Sequence, residues 1–154
     1  MQNQGLGRHV LVECYDADFS VLNDLDRIRD TPLDAAEWMG ATIISDKFHR
    51  FAPQGVSGAV VIAESHLTIH TWPELGYAAI DFFTCGESDP RAGFLELAKR
   101  LGSATMKIVE FARGFPSAQN APTAGLGGSA AQYVGSWTYR LEADTCEEVE
   151  ALIA

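Results

Sequence analysis

The segment from residue 58 to residue 86 concentrates side chains that can do chemistry. The apolar runs GAVVIA (58–63) and YAAIDFFTC (77–85) flank a group of reactive residues, namely Glu64, Ser65, His66, His70, Trp72 and Glu74. Ser65 lies outside any GxSxG elbow, so a hydrolase triad is not supported. A serine that merely ends a strand is the ordinary interpretation. A hydroxyl nucleophile near histidines also suits attack on its own preceding peptide bond.

The two histidines of this segment are four residues apart, a spacing that suits a metal on a helix. The local pattern is extended instead, which places His66, Thr68 and His70 on one face of a strand. HExxH is absent, and Glu64 precedes His66. A metal site is therefore the weaker interpretation.

The remaining candidate side chains each have an ordinary structural explanation. Cys85 ends an apolar strand and, by itself, is typical of a buried, unreactive thiol. Phe51 and Trp72 are typical of core or turn residues, and Glu74 of a solvated carboxylate. Their joint occurrence in one short segment is the observation that favours a site.

Composition narrows the class of protein. The chain has 154 residues, 47% of them hydrophobic and 21% charged, which predicts one soluble globular domain. Its net charge of −10 argues against a nucleic-acid partner. No apolar run is long enough to cross a membrane, and the N-terminus lacks a signal-peptide pattern, so we expect a cytoplasmic protein. The three cysteines form no CxxC pair, which disfavours a disulfide framework or a structural zinc site.

Hydrophobic periodicity predicts an α+β sandwich with a mainly antiparallel sheet. Val10, Val12 and Cys14 alternate on one face of the first strand. Asp16 and Asp18 can cap a helix near 17–39, and a break into two helical pieces is expected at Pro32. The predicted strands cover 8–15, 41–48, 58–64, 67–71, 77–85 and 104–112, and a second helix runs from about 89 to 102.

The last 40 residues differ in composition. Residues 115–131 are rich in Gly, Pro, Ala and Ser and are typical of a linker. GLGGSA lacks the lysine of a phosphate loop, so it favours a linker as well. The pattern then predicts a strand over 133–141 and a short acidic helix over 144–154.

Three stretches resemble the short bacterial and archaeal S-adenosylmethionine decarboxylases. They are GLGRHVLVECY (5–15), GATIISDKFHRFAPQGVSG (40–58) and AESHLTIHTWPELGYAAIDFFTCG (63–86). The resemblance implies a decarboxylase-like domain over 1–114 and leaves 115–154 as an extension of unknown role. It also implies a two-layer fold with helices on one face of the sheet. The resemblance further implies that two such protomers pack sheet to sheet as a homodimer, with sites at the interface.

The resemblance implies a proenzyme that cuts itself between Glu64 and Ser65. The products would be a β chain, 1–64, and an α chain, 65–154. Ser65 would attack the Glu64 carbonyl, pass through dehydroalanine and become a covalent pyruvoyl cofactor. His70 matches the histidine that transfers protons in this processing, and Ser57 matches a serine that takes part in it.

The resemblance also assigns roles in the later decarboxylation. The pyruvoyl group would bind the substrate amine as a Schiff base and act as an electron sink. Cys85 matches the proton donor, and a protonated thiol predicts a partly shielded position. Phe51 matches an aromatic residue that stacks on adenine, and Glu74 matches a carboxylate that binds the ribose. The product would feed spermidine synthesis.

Two alternatives stay open at this point. Close relatives of these enzymes use the same self-cleavage to decarboxylate ornithine or arginine. A non-catalytic paralogue that stays uncut and binds a partner is the other alternative, although Ser65, His70 and Cys85 together disfavour it.

Overall fold

The computed structural model describes residues 5–86, 90–116, 131–142 and 145–153. Within these ranges no helix has the length and apolar character needed to span a membrane. The helices are α1 Phe19–Leu22, α2 Leu25–Trp38 and α3 Arg91–Arg100, with a 3-10 turn at Pro73–Leu75. The strands are β1 Gly7–Tyr15, β2 Thr42–Arg50, β3 Val56–Ala63, β4 Ser65–Trp72, β5 Tyr77–Thr84, β6 Thr105–Arg113, β7 Gln132–Leu141 and β8 Cys146–Ile153.

All eight strands form one sheet in the order β2-β3-β4-β5-β1-β6-β7-β8. Every neighbouring pair is antiparallel. Strands β2 to β5 follow each other in space because short turns join them, whereas β1 is inserted between β5 and β6. The predicted α+β fold with a mainly antiparallel sheet is confirmed.

Successive side chains along each strand point to opposite sides of the sheet, which gives the sheet two different faces. One face carries the apolar residues that pack against the helices, among them Val10, Val12 and Cys14, as the sequence predicts. The Phe82 ring meets the Phe94 ring of α3 edge-on, with centroids 5.7 Å apart. We call this the helix face. The opposite side, which carries His66 and His70, is called the open face.

The first helical region departs from the prediction at Pro32. The break falls at Asn23 and Asp24, where the Asp24 carboxylate accepts hydrogen bonds from the backbone of Asp26 and Arg27 and caps α2. Pro32 lies inside α2 without ending it, although it lacks the N–H of an ordinary helical residue. Its buried position beside Ile28 in the core offsets that loss.

The C-terminal region extends the sheet. The strand predicted over 133–141 is confirmed as β7. The acidic helix predicted over 144–154 is wrong, because Cys146–Ile153 forms the edge strand β8 beside β7. Glu, Ala and Leu favour helix locally, but strand pairing overrides that preference. Most of the predicted linker, residues 117–130, lies outside the described residues.

Candidate active site

The Glu64–Ser65 peptide bond lies at the tip of the hairpin that joins β3 to β4. Ile62 pairs with Ser65, so Ala63 and Glu64 make the whole turn, and the peptide bond between them is cis. Both turn residues are exposed. A scissile bond at this position would be reached without opening the core.

Ser65 is a half-buried residue whose hydroxyl oxygen is fully buried. It has the same strand parity as Leu67 and Ile69, which face the helices. Its Oγ is buried and has no hydrogen-bond partner within the described part of the chain. A buried polar atom is normally satisfied, so an unbonded hydroxyl beside the Glu64 carbonyl calls for an explanation. A role as a nucleophile explains it, because a hydroxyl that attacks a carbonyl must be free of competing hydrogen bonds.

Cys85 follows the last residue of β5 and lies at the same end of the sheet as Ser65. The antiparallel register pairs His66 with Phe83, which places the end of β5 next to the start of β4. Cys85 is exposed, so the residues that the structure describes in one chain do not provide the expected partial shielding. A cavity of about 230 Å³ is lined by Glu64 and by Thr84 and Gly86, the neighbours of Cys85.

A second cavity, of about 460 Å³, is lined by Cys85 itself. We call it the Cys85 cavity. Its lining residues are Gly5, Leu6, Gly7, Arg8, Thr84, Cys85, Gly86, Glu110, Ala112 and Val134. The Arg8 guanidinium donates two hydrogen bonds to the Glu110 carboxylate, from Nε at 2.5 Å and from the second nitrogen at 3.1 Å.

The Arg8–Glu110 ion pair was not predicted from the sequence. Glu110 is 6% exposed and continues the buried positions Met106 and Ile108 of β6. A buried carboxylate needs a partner, and Arg8 supplies it from the neighbouring strand β1. The alternation of apolar and polar residues in β6 contained a signal for this pair, because Glu110 occupies a position where the pattern predicts an apolar residue.

Ser57 and His70 form a second group of candidate residues. They face each other across β3 and β4, and Ser57 Oγ lies 2.8 Å from His70 Nδ1. Both side chains are on the open face. The His70 ring lies 6.5 Å from the Trp72 ring, centroid to centroid. A serine hydrogen-bonded to an exposed imidazole is suited to moving protons at a neighbouring group.

Phe51 and Glu74 lie at the same end of the sheet as Ser57 and His70. Phe51 begins the loop between β2 and β3; it is 49% exposed, and its ring is edge-on to His49 at 4.7 Å. Glu74 is exposed in the 3-10 turn after β4. An exposed ring and an exposed carboxylate are suited to stacking and to binding hydroxyl groups.

The candidate residues therefore form two groups at opposite ends of β4. His70 follows Ser65 by five residues, which is about 16 Å along a strand. The two side chains also point to opposite faces. Within one chain, Glu64, Ser65 and Cys85 come together at one end, and Ser57, His70, Phe51 and Glu74 come together at the other.

The open face is polar and aromatic between these two groups. The His9 ring lies 6.0 Å from the Phe83 ring, and Arg113 stacks over Phe83 at 5.3 Å. Burial, together with the charge of Arg113, lowers the pKa of His9 despite Asp81 at 3.4 Å from its Nε2. The lowered pKa favours the uncharged form of the His9 imidazole.

Comparison with known proteins agrees with the fold and with the segment that carries the site. The sequence model of the S-adenosylmethionine decarboxylase family matches residues 8–114. An S-adenosylmethionine decarboxylase proenzyme from Thermosipho africanus is 51% identical over 112 residues, covering 72% of this chain and 86% of that protein. One from Thermotoga maritima is 54% identical with the same coverage.

A solved structure extends the similarity to three dimensions. The crystal structure of the adenosylmethionine decarboxylase from Aquifex aeolicus superposes with a TM-score of 0.67 at 30% sequence identity. The match covers 95% of that protein and 74% of this chain. The family match ends at residue 114, before β7 begins. Up to that boundary, this chain belongs to the S-adenosylmethionine decarboxylase family.

Proposed function

We propose that this chain is the proenzyme of a pyruvoyl-dependent S-adenosylmethionine decarboxylase that cuts itself between Glu64 and Ser65. The observation that carries the proposal is the buried Ser65 hydroxyl, which has no hydrogen-bond partner among the described residues and follows a hairpin turn. The relatives above share the name of proenzyme, which supports self-cleavage. Their name also favours S-adenosylmethionine over ornithine or arginine.

Self-cleavage uses the residues of the hairpin tip. The Ser65 hydroxyl oxygen attacks the Glu64 carbonyl carbon, and the peptide bond becomes an ester. Loss of the Ser65 α-proton then breaks the Cβ–Oγ bond of the ester by elimination, so that both oxygens remain with Glu64 as the C-terminal carboxylate of chain 1–64. The dehydroalanine left at position 65 takes up water and releases ammonia, which leaves a pyruvoyl group at the start of chain 65–154. His70, held by Ser57, transfers protons in these steps.

The residues present fit such a group. Ser65 supplies its atoms, and Cys85 lies at the same end of the sheet. A pyruvoyl group supplies a carbonyl that accepts the electron pair released as carbon dioxide leaves. Cys85 donates a proton to the substrate α-carbon, Phe51 stacks on adenine and Glu74 accepts hydrogen bonds from the ribose hydroxyls.

We infer that each site is built from two copies of the chain. The proton-transfer pair and the cut site lie at opposite ends of β4, so one copy does not bring them together. In such a dimer the two open faces would pack against each other, related by a two-fold axis that lies between them and is perpendicular to the strands. Rotation about this axis would make the strands of the partner run in the opposite direction. The Ser65 end of one copy would then meet the His70 end of its partner. The aromatic and histidine side chains of the open face would be covered in the same step.

Intact-mass analysis of the purified protein tests the proposed cleavage. We expect the wild-type 16.7 kDa chain to yield fragments 1–64 and 65–154, the second with a pyruvoyl terminus. Ser65→Ala should fold and remain uncut, because it lacks the nucleophile. Ser45→Ala, which changes an exposed serine of β2, should be cut as the wild type is.

Substrate choice is tested on the cleaved protein. Carbon dioxide release is measured from S-adenosylmethionine, ornithine and arginine under the same conditions, and we expect release from the first. An uncut wild-type chain, or equal cleavage of Ser65→Ala, would refute the self-processing proposal. Release from a basic amino acid alone would refute the substrate.

A further inference from the structure

The C-terminal extension is packed into the core. Strand β7 pairs with β6, and Trp137, Tyr139 and Leu141 are each 7% exposed on the helix face. The Arg91 guanidinium of α3 lies 4.9 Å from the centre of the Trp137 ring. These contacts place β7 beside the family domain in a defined register. The residues at its start are therefore available to complete a cavity.

One residue of β7 is displaced from the regular ladder. Gly135 pairs with Glu110 and Tyr133 pairs with Phe111, so Val134 is the extra residue of a β-bulge. A bulge changes the direction in which a side chain points, and bulges are frequent beside active sites. The half-buried Val134 lines the Cys85 cavity.

The other residues that line the Cys85 cavity are held in place by their neighbours. Gly7 leaves room for the Phe83 ring, because a Cβ at this position would lie 2.7 Å from that ring. Arg8 and Glu110 are committed to each other by two hydrogen bonds. Val134 thus adds an apolar residue to a cavity that is also lined by Cys85 and by the Arg8–Glu110 ion pair.

We propose that Val134 is a specificity-determining residue that limits the size of the groups able to reach Cys85. This inference rests on the proposed role of Cys85 as proton donor. The end of the substrate that meets Val134 is the amino-acid end, where the carboxylate leaves and the α-carbon receives its proton. An apolar wall there also limits the water around the departing carboxylate, which favours loss of carbon dioxide.

Thiol labelling tests whether Val134 restricts access to Cys85, and it does not require catalysis. The background is the uncut Ser65→Ala, Cys146→Ser protein, in which Cys85 remains the exposed thiol of the described residues. Labelling by a small maleimide and by a bulky fluorescein maleimide is followed by intact mass. Val134→Trp should slow the bulky probe relative to the small one, and Val134→Ala should speed it. Val149→Trp is the matched control, because Val149 is also a bulged valine of the extension but lies on β8, away from the cavity.

Turnover tests specificity in the cleaved enzyme. Val134→Trp should be cut normally yet lose about tenfold or more in kcat/KM for S-adenosylmethionine, the scale on which pocket volume discriminates. Val149→Trp should keep its kcat/KM. Equal behaviour of the two tryptophan variants in labelling and turnover would overturn the proposal. If Val134→Trp fails to fold, the test relies on Val134→Ala. An unchanged ratio of the labelling rates of the two maleimides in Val134→Ala would also overturn the proposal.

The two proposals fail in different ways. If no substrate releases carbon dioxide, the proposed function fails. The ratio of the labelling rates of the bulky and small maleimides still tests whether Val134 restricts access to Cys85. If the enzyme is active and Val134 variants match their Val149 control, the function stands and the role of Val134 is lost.

Discussion

The three cysteines have different surroundings, and these decide which thiol is available for chemistry. Cys14 lies in the core, where burial raises the pKa of its thiol to about 12 and keeps it protonated and inert. Cys146 is exposed on the edge strand β8. Cys85 is exposed and lines the Cys85 cavity, at the same end of the sheet as the proposed cut site. Cys146 therefore serves as a control for any effect of removing an exposed thiol.

Replacement of Cys85 separates processing from turnover. Cys85→Ala should still cut itself, at least in part, because the nucleophile and its carbonyl are unchanged. Its kcat should fall about 100-fold or more, the usual scale for losing a proton donor. Initial rates of carbon dioxide release, normalised to the cleaved fraction, measure this. Cys146→Ala should match the wild type, and an undiminished kcat for Cys85→Ala would remove that residue from its role.

At the scale of elements, β7 and β8 differ in how far packing supports them. Strand β7 places Trp137 and Tyr139 in the core, where burial, together with the neighbouring Glu148, raises the pKa of the Tyr139 phenol to about 12. Strand β8 is exposed along its whole length and is held by pairing with β7. The stability of the extension should therefore depend on β7.

Truncation of Trp137 tests this dependence. Trp137→Ala removes a buried ring from the core and should lower the free energy of unfolding by about 3–5 kcal/mol. Leu152→Ala, at a 57% exposed position of β8, should change it by about 0.5 kcal/mol or less. Urea denaturation of both variants in the uncut Ser65→Ala background measures the difference. Equal small effects would contradict the prediction, because they would mean that burial of Trp137 contributes little to stability.

At the scale of the whole molecule, the division of the site predicts complementation between inactive chains. Ser65→Ala and His70→Ala each lack one group, and a shared site would restore one complete set in a mixed dimer. With random pairing, about half of the His70→Ala chains would occupy mixed dimers and be cut. Mass spectrometry of co-expressed protein identifies the 65–154 fragment of the His70→Ala chain by its mass. A site contained within one chain would give no cleavage beyond that of the separate variants.

A second pair of variants provides the control for complementation. Ser57 and His70 belong to the same group of the site, since they share a hydrogen bond. Mixed dimers of Ser57→Ala and His70→Ala would lack one member of that pair at each site. We therefore expect them to show no more cleavage than either variant alone. Rescue in this mixture would place the two residues in different sites.

Local patterns in the sequence were enough to predict much of this molecule. Alternation assigned Val10, Val12 and Cys14 to one face, and the segment from Glu64 to Cys85 contained the candidate chemistry. Of the two caps predicted for the first helix, Asp16 and Asp18, the structure confirms Asp18 as the N-cap. Such features depend on neighbours a few residues apart, so the order of side chains is sufficient to specify them.

Tertiary structure decided the features that depend on distant partners. Pro32 stays within α2 because the helix is packed into the core, and residues 146–153 form a strand because β7 offers an edge to pair with. The separation of Ser65 from His70 follows from the extended geometry of β4. The position of Val134 beside Cys85 follows from the order of strands in the sheet. Residues so far apart in the chain meet only when the whole sheet is assembled, and no local pattern reports that.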